Sequence, residues 1–135
     1  MTEAVARALI DKYWTAFENN DLEGWLSCYA DDATYEDYAV SFFASDKTGI
    51  RDFITQYFDG VTDGEVTLHE ANVWDNGSRY LLEWTIKGNL KGSFGPTTED
   101  NVGKIGEPFE LRGIAMGHIR NGLFVANRDY YVKLR

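Results

Sequence analysis

The chain is organised around the stretch Tyr29-Ala30-Asp31-Asp32-Ala33-Thr34-Tyr35-Glu36-Asp37. We expect a short amphipathic helix to end here, the backbone to turn at the paired aspartates, and an alternating strand to begin. Successive side chains of a strand point to opposite faces, so Tyr35 and Asp37 share one face. Thr34 and Glu36 share the other. A carboxylate beside a phenol on an aromatic-rich inner face is either an acceptor for a buried hydroxyl or a proton-transfer group with a raised pKa.

Helical periodicity dominates the first half of the chain. Apolar residues recur every three or four positions from Thr2 to Asn19, which predicts a first helix. Asp21 is placed to cap a second, short helix. A third helix is predicted to start from a cap at Asp46 or Thr48 and to end near Asp59-Gly60. The apolar stripe of the first helix comprises Val5, Ala8, Leu9, Tyr13 and Phe17.

The second half of the chain changes to a period of two. Four long strands are predicted, over Glu65 to Trp74, Ser78 to Leu90, Phe109 to Arg120 and Leu123 to Leu134. Asn121-Gly122 is a strong signal for a two-residue hairpin between the last two strands. Helices followed by antiparallel strands predict one α+β domain over residues 1–135, in which a curved antiparallel or mixed sheet wraps into a cone against three N-terminal helices. A cavity is expected between the concave face and the helices.

Two segments do not fit either period. Tyr38 to Ser45 is irregular and apolar, with Phe42 and Phe43, so we expect it to cover other parts of the molecule. Gly92 to Pro108 holds too many glycines and prolines for a continuous strand and is longer than a tight turn requires. We interpret it as a mobile hairpin arm or lid.

Composition and charge exclude several classes of protein. The 135 residues suffice for one domain, and the aromatic content of 15% suits either a lined cavity or an aromatic core. The net charge of −9 argues against nucleic acids and anionic membranes as partners. No apolar run is long enough to span a bilayer, and the N-terminus lacks the features of a signal peptide, so we expect a cytoplasmic protein. Cys28 lies among apolar residues and is interpreted as a packed thiol.

Several short motifs resemble those of the nuclear-transport-factor-2-like superfamily, and within it the SnoaL-like polyketide cyclases, the ketosteroid isomerases and the limonene epoxide hydrolases. The resemblance covers nearly the whole chain. It rests on Lys12-Tyr13-Trp14, Asn20-Asp21-Leu22-Glu23-Gly24-Trp25, Tyr29 to Asp37, Gly49-Ile50-Arg51-Asp52-Phe53, Arg112-Gly113-Ile114, Arg120-Asn121-Gly122 and Arg128-Asp129-Tyr130-Tyr131. Because one fold hosts many functions, the resemblance identifies the superfamily better than the reaction.

The N-terminal third is most similar to ketosteroid isomerase. The resemblance implies that Asp37 moves a proton between carbons and that Tyr13 donates a hydrogen bond to the enolate oxygen; Tyr13 also fits a plain helix-core residue. The isomerase has a second donor, a carboxylic acid that its apolar site keeps protonated. Counting back from Asn121-Gly122 places Met116 there, which cannot donate. His118, two residues further on the same strand face, is either a replacement donor or a histidine without a catalytic role.

The C-terminal strand is more similar to the cyclase and epoxide hydrolase branches. In those branches the aspartate of an Arg-Asp-Tyr sequence acts as acid or base, and Asp129 occupies that position. Tyr35 and Asp37 match the residues that help to hold water in the hydrolases. Trp84 and Ile86 stand where the hydrolases carry an arginine and an aspartate, so that catalytic triad is not expected here.

The predicted site therefore combines acid/base groups with apolar walls. The catalytic candidates are Asp129, Asp37, Tyr13, Tyr35 and His118. The substrate-binding candidates are Trp84, Ile86, Ile114, Met116, Asn127 and Phe53. A metal site is not expected, because the two histidines lie on different strands without ligand spacing. No Gly-rich phosphate loop is present, and no cofactor is expected.

Three functions remain open at this point. The first is a cofactor-independent enzyme of isomerase, cyclase or lyase type that moves a proton on a hydrophobic carbonyl or polycyclic substrate. The second is a non-catalytic module that binds a hydrophobic ligand. The third is hydrolysis or dehydration with a water held by a carboxylate. In each case a homodimer is expected through the outer face of the sheet, with Trp74, Leu81 and Tyr130 as contact candidates.

Overall fold

The computed structural model describes residues 2–134, which form four helices and a sheet of six strands. The helices are α1 (Glu3–Glu18), α2 (Leu22–Leu26), α3 (Lys47–Gly60) and α4 (Thr98–Asn101). The strands are β1 (Tyr29–Asp37), β2 (Phe42–Ala44), β3 (Val61–Trp74), β4 (Arg79–Leu90), β5 (Pro108–Arg120) and β6 (Leu123–Lys133). None of the helices in this range is long and apolar enough to cross a membrane.

Side-chain caps fix where the first three helices begin. The Thr2 side chain accepts a hydrogen bond from the Val5 amide, and Asp21 and Asp46 cap α2 and α3 in the same way. Each cap satisfies an amide that has no partner within the helix. The predicted caps at Asp21 and Asp46 are confirmed.

The buried stripe of α1 differs in part from the prediction. Val5 and Ala8 are exposed, although they were assigned to the apolar stripe. Ala6 and Ile10 are buried in their place. The buried face of α1 therefore includes Ala6 and Ile10 and leaves out Val5 and Ala8. The buried residues of α1 are Ala6, Leu9, Ile10, Tyr13, Trp14 and Ala16.

The six strands form one mixed sheet in the order β2-β1-β6-β5-β4-β3. Strands β3 to β6 follow one another as an antiparallel meander, whereas β1 inserts beside β6 and runs parallel to it. The curved sheet packs against the helices, which confirms the α+β class with a curved mixed sheet. The parallel pairing of β1 with β6 brings the first and last strands of the sequence together.

The paired aspartates do not form the predicted turn. Asp31 and Asp32 lie inside β1, and the register between β1 and β6 shifts between Tyr29 and Thr34. Extra residues on one strand of a pair bulge outwards and leave the strand continuous. The irregular stretch after β1 also contains a strand, β2, whose Phe42 pairs with Asp37.

The Gly92 to Pro108 segment, interpreted above as a mobile hairpin arm or lid, packs against the rest of the fold. It contains α4, and its side chains Phe94, Thr98 and Val102 are buried. The Thr97 hydroxyl donates to the Ala39 carbonyl at 2.9 Å, so the segment packs on the loop between β1 and β2. Its predicted mobility in the absence of ligand stays a prediction.

Candidate active site

A cavity lies between the inner face of the sheet and helices α1 and α3. About 560 Å³ among its lining groups is not filled by atoms, a figure that includes space open to solvent. Two carboxylates are among its lining groups, and no lining residue in the described range is Lys, Arg or His. The lining residues are Tyr13, Trp14, Phe17, Trp25, Tyr35, Asp37, Phe53, Ile54, Tyr57, Leu82, Trp84, Ile86, Phe94, Leu111, Ala115, Asp129 and Tyr131.

The aromatic lining follows from the two periods of the sequence. Residues three and four apart on α1 face the sheet, while alternate residues on β4 face the helices. Phe53 of α3 packs near the Tyr35 ring, with 4.9 Å between their centroids. The predicted wall residues Phe53, Trp84 and Ile86 all line the cavity. Any ligand in the cavity would contact mostly aromatic and aliphatic carbon.

Asp129 accepts a side-chain hydrogen bond on each of its two carboxylate oxygens. Its Oδ2 accepts a hydrogen bond from the Tyr35 hydroxyl, and its Oδ1 accepts one from the Asn127 side-chain amide at 2.9 Å. Burial raises the pKa of Asp129 to about 6, and both hydrogen bonds oppose that rise because they favour the ionised form. Asp129 therefore has a neutral partner on each oxygen and no cation to stabilise its charge.

Asp37 is the last residue of β1 and is almost completely buried. Its Oδ2 accepts a hydrogen bond from the Tyr131 hydroxyl at 2.9 Å, and its Oδ1 accepts one from the Val40 amide at 3.2 Å. Burial and then the charge of Asp129 raise the pKa of Asp37 to about 8. Because burial and mutual repulsion both disfavour two charges here, the pair as a unit tends to retain a proton.

Tyr13 lines the cavity but is not hydrogen-bonded to either carboxylate. Its hydroxyl lies 2.6 Å from the Tyr29 hydroxyl, and its ring stacks on Trp25 with 5.1 Å between centroids. Burial and the nearby Asp129 charge raise the pKa of Tyr13. Tyr13 is thus a neutral phenol at any ordinary pH, and it lines the wall beside the carboxylates.

Strand β5 presents the opposite face from the one predicted. Ile114, Met116 and His118 are absent from the cavity lining, whereas Leu111 and Ala115 contribute to it. The predicted placement of these three side chains in the cavity is therefore wrong. His118 is partly exposed, and burial together with nearby arginines lowers its pKa.

Gly113 and Gly117 are inward positions of β5 where atoms of neighbouring residues leave no room for a side chain. A Cβ added to Gly113 would lie 2.4 Å from the Tyr131 Cβ, so the glycine makes room for Tyr131. Alternation places the charged residues Glu110, Arg112 and Arg120 on the same strand face as Ile114, Met116 and His118. Charged residues at these positions mark that face as the outer one.

Two tyrosines that the sequence did not single out as site residues belong to the hydrogen-bond network. Tyr131 donates to Asp37, and the Tyr80 hydroxyl donates to Asn127 at 2.6 Å. Asn127 itself is buried behind Asp129 and does not line the cavity. The Arg-Asp-Tyr-Tyr sequence contained a signal for Tyr131, because residues 129 and 131 share one strand face. No comparable signal marked Tyr80.

The two cavity carboxylates are not part of a larger group of metal-ligating side chains among the described residues. Within residues 2–134, His, Cys, Asp and Glu form no group of three or more that could hold a metal ion. The chemistry available from the described residues is proton transfer and hydrogen bonding in an apolar enclosure.

Comparison with known proteins identifies the family. A family model described as the SnoaL-like domain matches residues 10–127. The chain is 29% identical over 131 residues to cyclase aurE of Calcarisporium arbuscula, covering 94% of this chain and 87% of that protein.

Solved structures show the same fold at low sequence identity. A proposed polyketide cyclase of Xanthomonas campestris pv. campestris superposes with a TM-score of 0.76 at 20% identity, covering 96% of this chain and 91% of the other. Protein RV0760c of Mycobacterium tuberculosis, solved with estradiol-17beta-hemisuccinate, gives a TM-score of 0.73 at 19% identity, covering 93% and 92%. The fold, the resemblance of the motifs and the match over most of the chain agree: the protein belongs to the SnoaL-like domain family.

Proposed function

We propose that this protein is a cofactor-independent acid/base enzyme that catalyses carbon–carbon ring closure, or a related isomerase or lyase step, on a hydrophobic carbonyl substrate. The observation that carries the proposal is the pair of buried carboxylates, Asp37 and Asp129, in a cavity with aromatic walls. Similarity to a protein named as a cyclase supports ring closure over the other steps.

The different environments of the two carboxylates suggest different roles. Two titratable groups whose surroundings separate their pKa values are suited to act as base and acid. Asp129, with the lower pKa and hydrogen bonds from Tyr35 and Asn127, is the proposed general base. Asp37, with the higher pKa, is the proposed general acid. Tyr131 contacts Asp37 and can reverse its hydrogen bond when Asp37 carries a proton.

Ring closure can be written so that every proton is accounted for. Asp129 removes a proton from a carbon next to a carbonyl group, which leaves an enolate. The enolate carbon forms a bond to a second carbonyl carbon of the same molecule, and the resulting alkoxide takes the proton of Asp37. Exchange of the proton from Asp129 to Asp37 through solvent restores the starting state. General acid–base steps of this kind contribute about 10² to 10⁴ in rate.

The walls define the class of substrate. Tyr13, Phe53, Trp84 and Phe94 present ring surfaces, and an anionic group near the carboxylates would find no cation among the described lining residues. We therefore propose a neutral, flat, aromatic or polycyclic molecule with at least two carbonyl groups as substrate. Burial of aromatic surface would supply most of the binding free energy.

The test uses a panel of poly-carbonyl aromatic precursors with the wild-type protein and two Asp→Asn variants. Asp129→Asn keeps the shape of the side chain but removes the base, and we expect a loss in kcat of about 10² to 10⁴. Asp11→Asn, an exposed position on α1, is the matched control and should retain wild-type turnover. Full kcat in Asp129→Asn, with folding confirmed by circular dichroism, would exclude the proposed base.

A second candidate function is a non-catalytic carrier for a hydrophobic ligand. It is favoured by the hydrogen bonds on all four carboxylate oxygens of Asp37 and Asp129, because a satisfied carboxylate has less need of a reacting partner. RV0760c, which has the same fold, was solved with a steroid derivative, and this supports a polycyclic ligand. Calorimetric binding of steroids or polycyclic ketones without any turnover would select this alternative.

A further inference from the structure

Tyr80, Gly117 and Asn127 form a row across three neighbouring strands on the inner face of the sheet. Tyr80 of β4 is the register partner of Gly117 of β5, and Gly117 is the partner of Asn127 of β6. The next row contains Ala115 and Asp129, which are also register partners. The row of Tyr80 therefore lies directly beside the row that carries the proposed base.

Gly117 allows Tyr80 to reach across β5. A Cβ at position 117 would lie 3.1 Å from the Tyr80 hydroxyl and 1.9 Å from the Ala126 carbonyl oxygen. Both distances are too short for a side chain without movement of its neighbours. The absence of a side chain at Gly117 thus lets a phenol on β4 contact an amide on β6, two strands away.

The contacts in this row form a directed chain of hydrogen bonds. The Tyr80 hydroxyl lies 2.6 Å from Asn127 Oδ1 and 3.2 Å from the Ala126 carbonyl oxygen. The Asn127 side-chain amide then donates to Asp129 Oδ1 at 2.9 Å. Tyr80 and Asn127 are each about 1% exposed, so water does not compete for these groups.

The order of donors and acceptors depends on Tyr80. A carbonyl oxygen can only accept, so the Tyr80 proton must point towards Asn127 Oδ1 or the Ala126 oxygen. When it points towards Oδ1, the amide N–H of Asn127 faces Asp129. A reversed amide would direct its carbonyl oxygen at Asp129, which is compatible only with a protonated carboxyl group.

We infer that Tyr80 and Asn127 are positioning residues for Asp129, in which the Tyr80 hydroxyl fixes the Asn127 amide so that its N–H faces the carboxylate. The chain holds Asp129 in its ionised form, and its importance for catalysis rests on the proposed role of Asp129 as base. Neither residue lines the cavity, so both act through Asp129 and not on the substrate.

Other groups around Asp129 also bear on its ionisation. Tyr35 donates to its second oxygen, and Asp37 is its register partner on β1. The structure places these groups independently of Tyr80, so their effect is the same in the variants below. The titratable groups that face Asp129 are Tyr35 and Asp37 from β1, Tyr13 from α1, Tyr80 from β4 and Tyr131 from β6.

The experiment measures the ionisation of Asp129 directly by ¹³C NMR of aspartate carboxyl groups, with the resonance assigned from Asp129→Asn. Asn127→Leu removes the donor, and we expect the pKa of Asp129 to rise by about one unit or more. Tyr80→Phe should raise it in the same direction by a smaller amount. In the double variant that combines Asn127→Leu with Tyr80→Phe, the pKa of Asp129 should equal that in Asn127→Leu alone, because the effect of Tyr80 passes through Asn127.

The matched control is Tyr29→Phe, which removes another buried hydroxyl, one whose hydrogen bond is to Tyr13 and not to Asp129 or Asn127. It should leave the Asp129 titration unchanged. An unchanged titration in Tyr80→Phe, or equal and additive shifts in the double variant, would overturn the inference. If Tyr80→Phe does not fold, 3-fluorotyrosine at position 80 keeps the shape and strengthens the donor; it should lower the pKa of Asp129, and no shift would again overturn the inference.

The readout separates this inference from the proposed function. The titration needs no substrate, so it can succeed even if the protein catalyses nothing. If both hold, the acid limb of the pH profile of kcat/KM moves to higher pH in Asn127→Leu and Tyr80→Phe by the shift that NMR records. If NMR records the expected changes in the pKa of Asp129 but no substrate is converted, the enzyme proposal is rejected and the hydrogen-bond chain is kept.

Discussion

Asp37 and Asp129 are register partners in the parallel pairing of β1 with β6, so one strand from each end of the sequence supplies a carboxylate to the same row of the sheet. Both side chains are buried, and each has only neutral hydrogen-bond donors. The charge of one therefore affects the ionisation of the other, and the pair titrates as a unit.

We predict a bell-shaped pH dependence of kcat/KM if the protein is an enzyme. Activity then requires that Asp129 is ionised and that Asp37 is protonated. The pKa of each carboxyl group is raised above its ordinary value. In Asp37→Asn the alkaline limb should disappear, because the titrating acid is gone. The measurement is initial rate from pH 5 to pH 10 in wild type and variant. An unaltered alkaline limb would assign the acid to another group.

The raised pKa values also predict how stability depends on pH. A carboxyl group that holds its proton more tightly in the folded than in the unfolded state contributes stability that is complete at low pH. That contribution is lost as pH rises from the unfolded value near 3.8 through the folded value near 8 for Asp37. Asp37→Asn has no carboxyl group to titrate at this position, so its free energy of unfolding should decrease less with rising pH than that of wild type. We expect the two decreases to differ by at least about 1 kcal/mol.

Urea unfolding at pH 5 and pH 9 checks this expectation. Asp11→Asn on the surface of α1 is the control and should keep the wild-type difference between the two pH values. Parallel pH dependence in Asp37→Asn and wild type would show that Asp37 titrates normally.

We predict a homodimer through the outer face of the sheet. Trp74 and Tyr130 there expose 43% and 42% of their surface, Leu81 is half-buried, and Tyr130 stacks on Tyr38. Exposed aromatic surface on a sheet face is typical of an interface. Tyr130→Glu should shift the mass in light scattering towards the monomer.

Val5→Glu is the control for this change, since Val5 is a similarly exposed apolar residue on α1. It should leave the mass unchanged. A wild-type mass equal to one chain at micromolar concentration would rule out the dimer.

The Gly92 to Pro108 segment is predicted to open more readily than the strands on either side. Its attachment rests on few buried side chains and on hydrogen bonds such as Asn101 Nδ2 to the Ala39 carbonyl oxygen at 2.7 Å. Few buried contacts mean a low free energy of local opening. Amide exchange in this segment should be faster than in β5 and should slow when a ligand fills the cavity, because Phe94 lines it. Exchange as slow as that of β5 without ligand would contradict the prediction.

Much of the fold could be predicted from the sequence, because the signals that set it are local. The caps at Asp21 and Asp46 and the Asn121-Gly122 hairpin depend on a few adjacent residues. The pairing of β1 with β6 could not be derived from periodicity. It brings together residues more than 90 positions apart, and only the family resemblance pointed to both carboxylates.

The site was predicted in part. Tyr35, Asp37 and Asp129 lie together as expected: the alternation of β1 pointed to Tyr35 and Asp37, and the family resemblance pointed to Asp129. The assignment of β5 failed because the count back from Asn121-Gly122 selects the strand face of Met116 and His118, which is the outer one. In the structure the inner positions of β5 include glycine and alanine, and the space above them is filled by side chains from the adjacent strands. Which strand fills a shared volume is a tertiary property that no single strand encodes.

The small inward residues of β5 also limit how the cavity can evolve. Ala115 is the register partner of Asp129 and lines the cavity, and position 115 can gain carbon atoms but has only one to lose. Each added methylene would shorten the longest molecule that reaches the carboxylates, without touching the groups that carry protons. On the proposed function, substrate length and proton chemistry would be set by different strands, and a relative could change the first while it keeps the second.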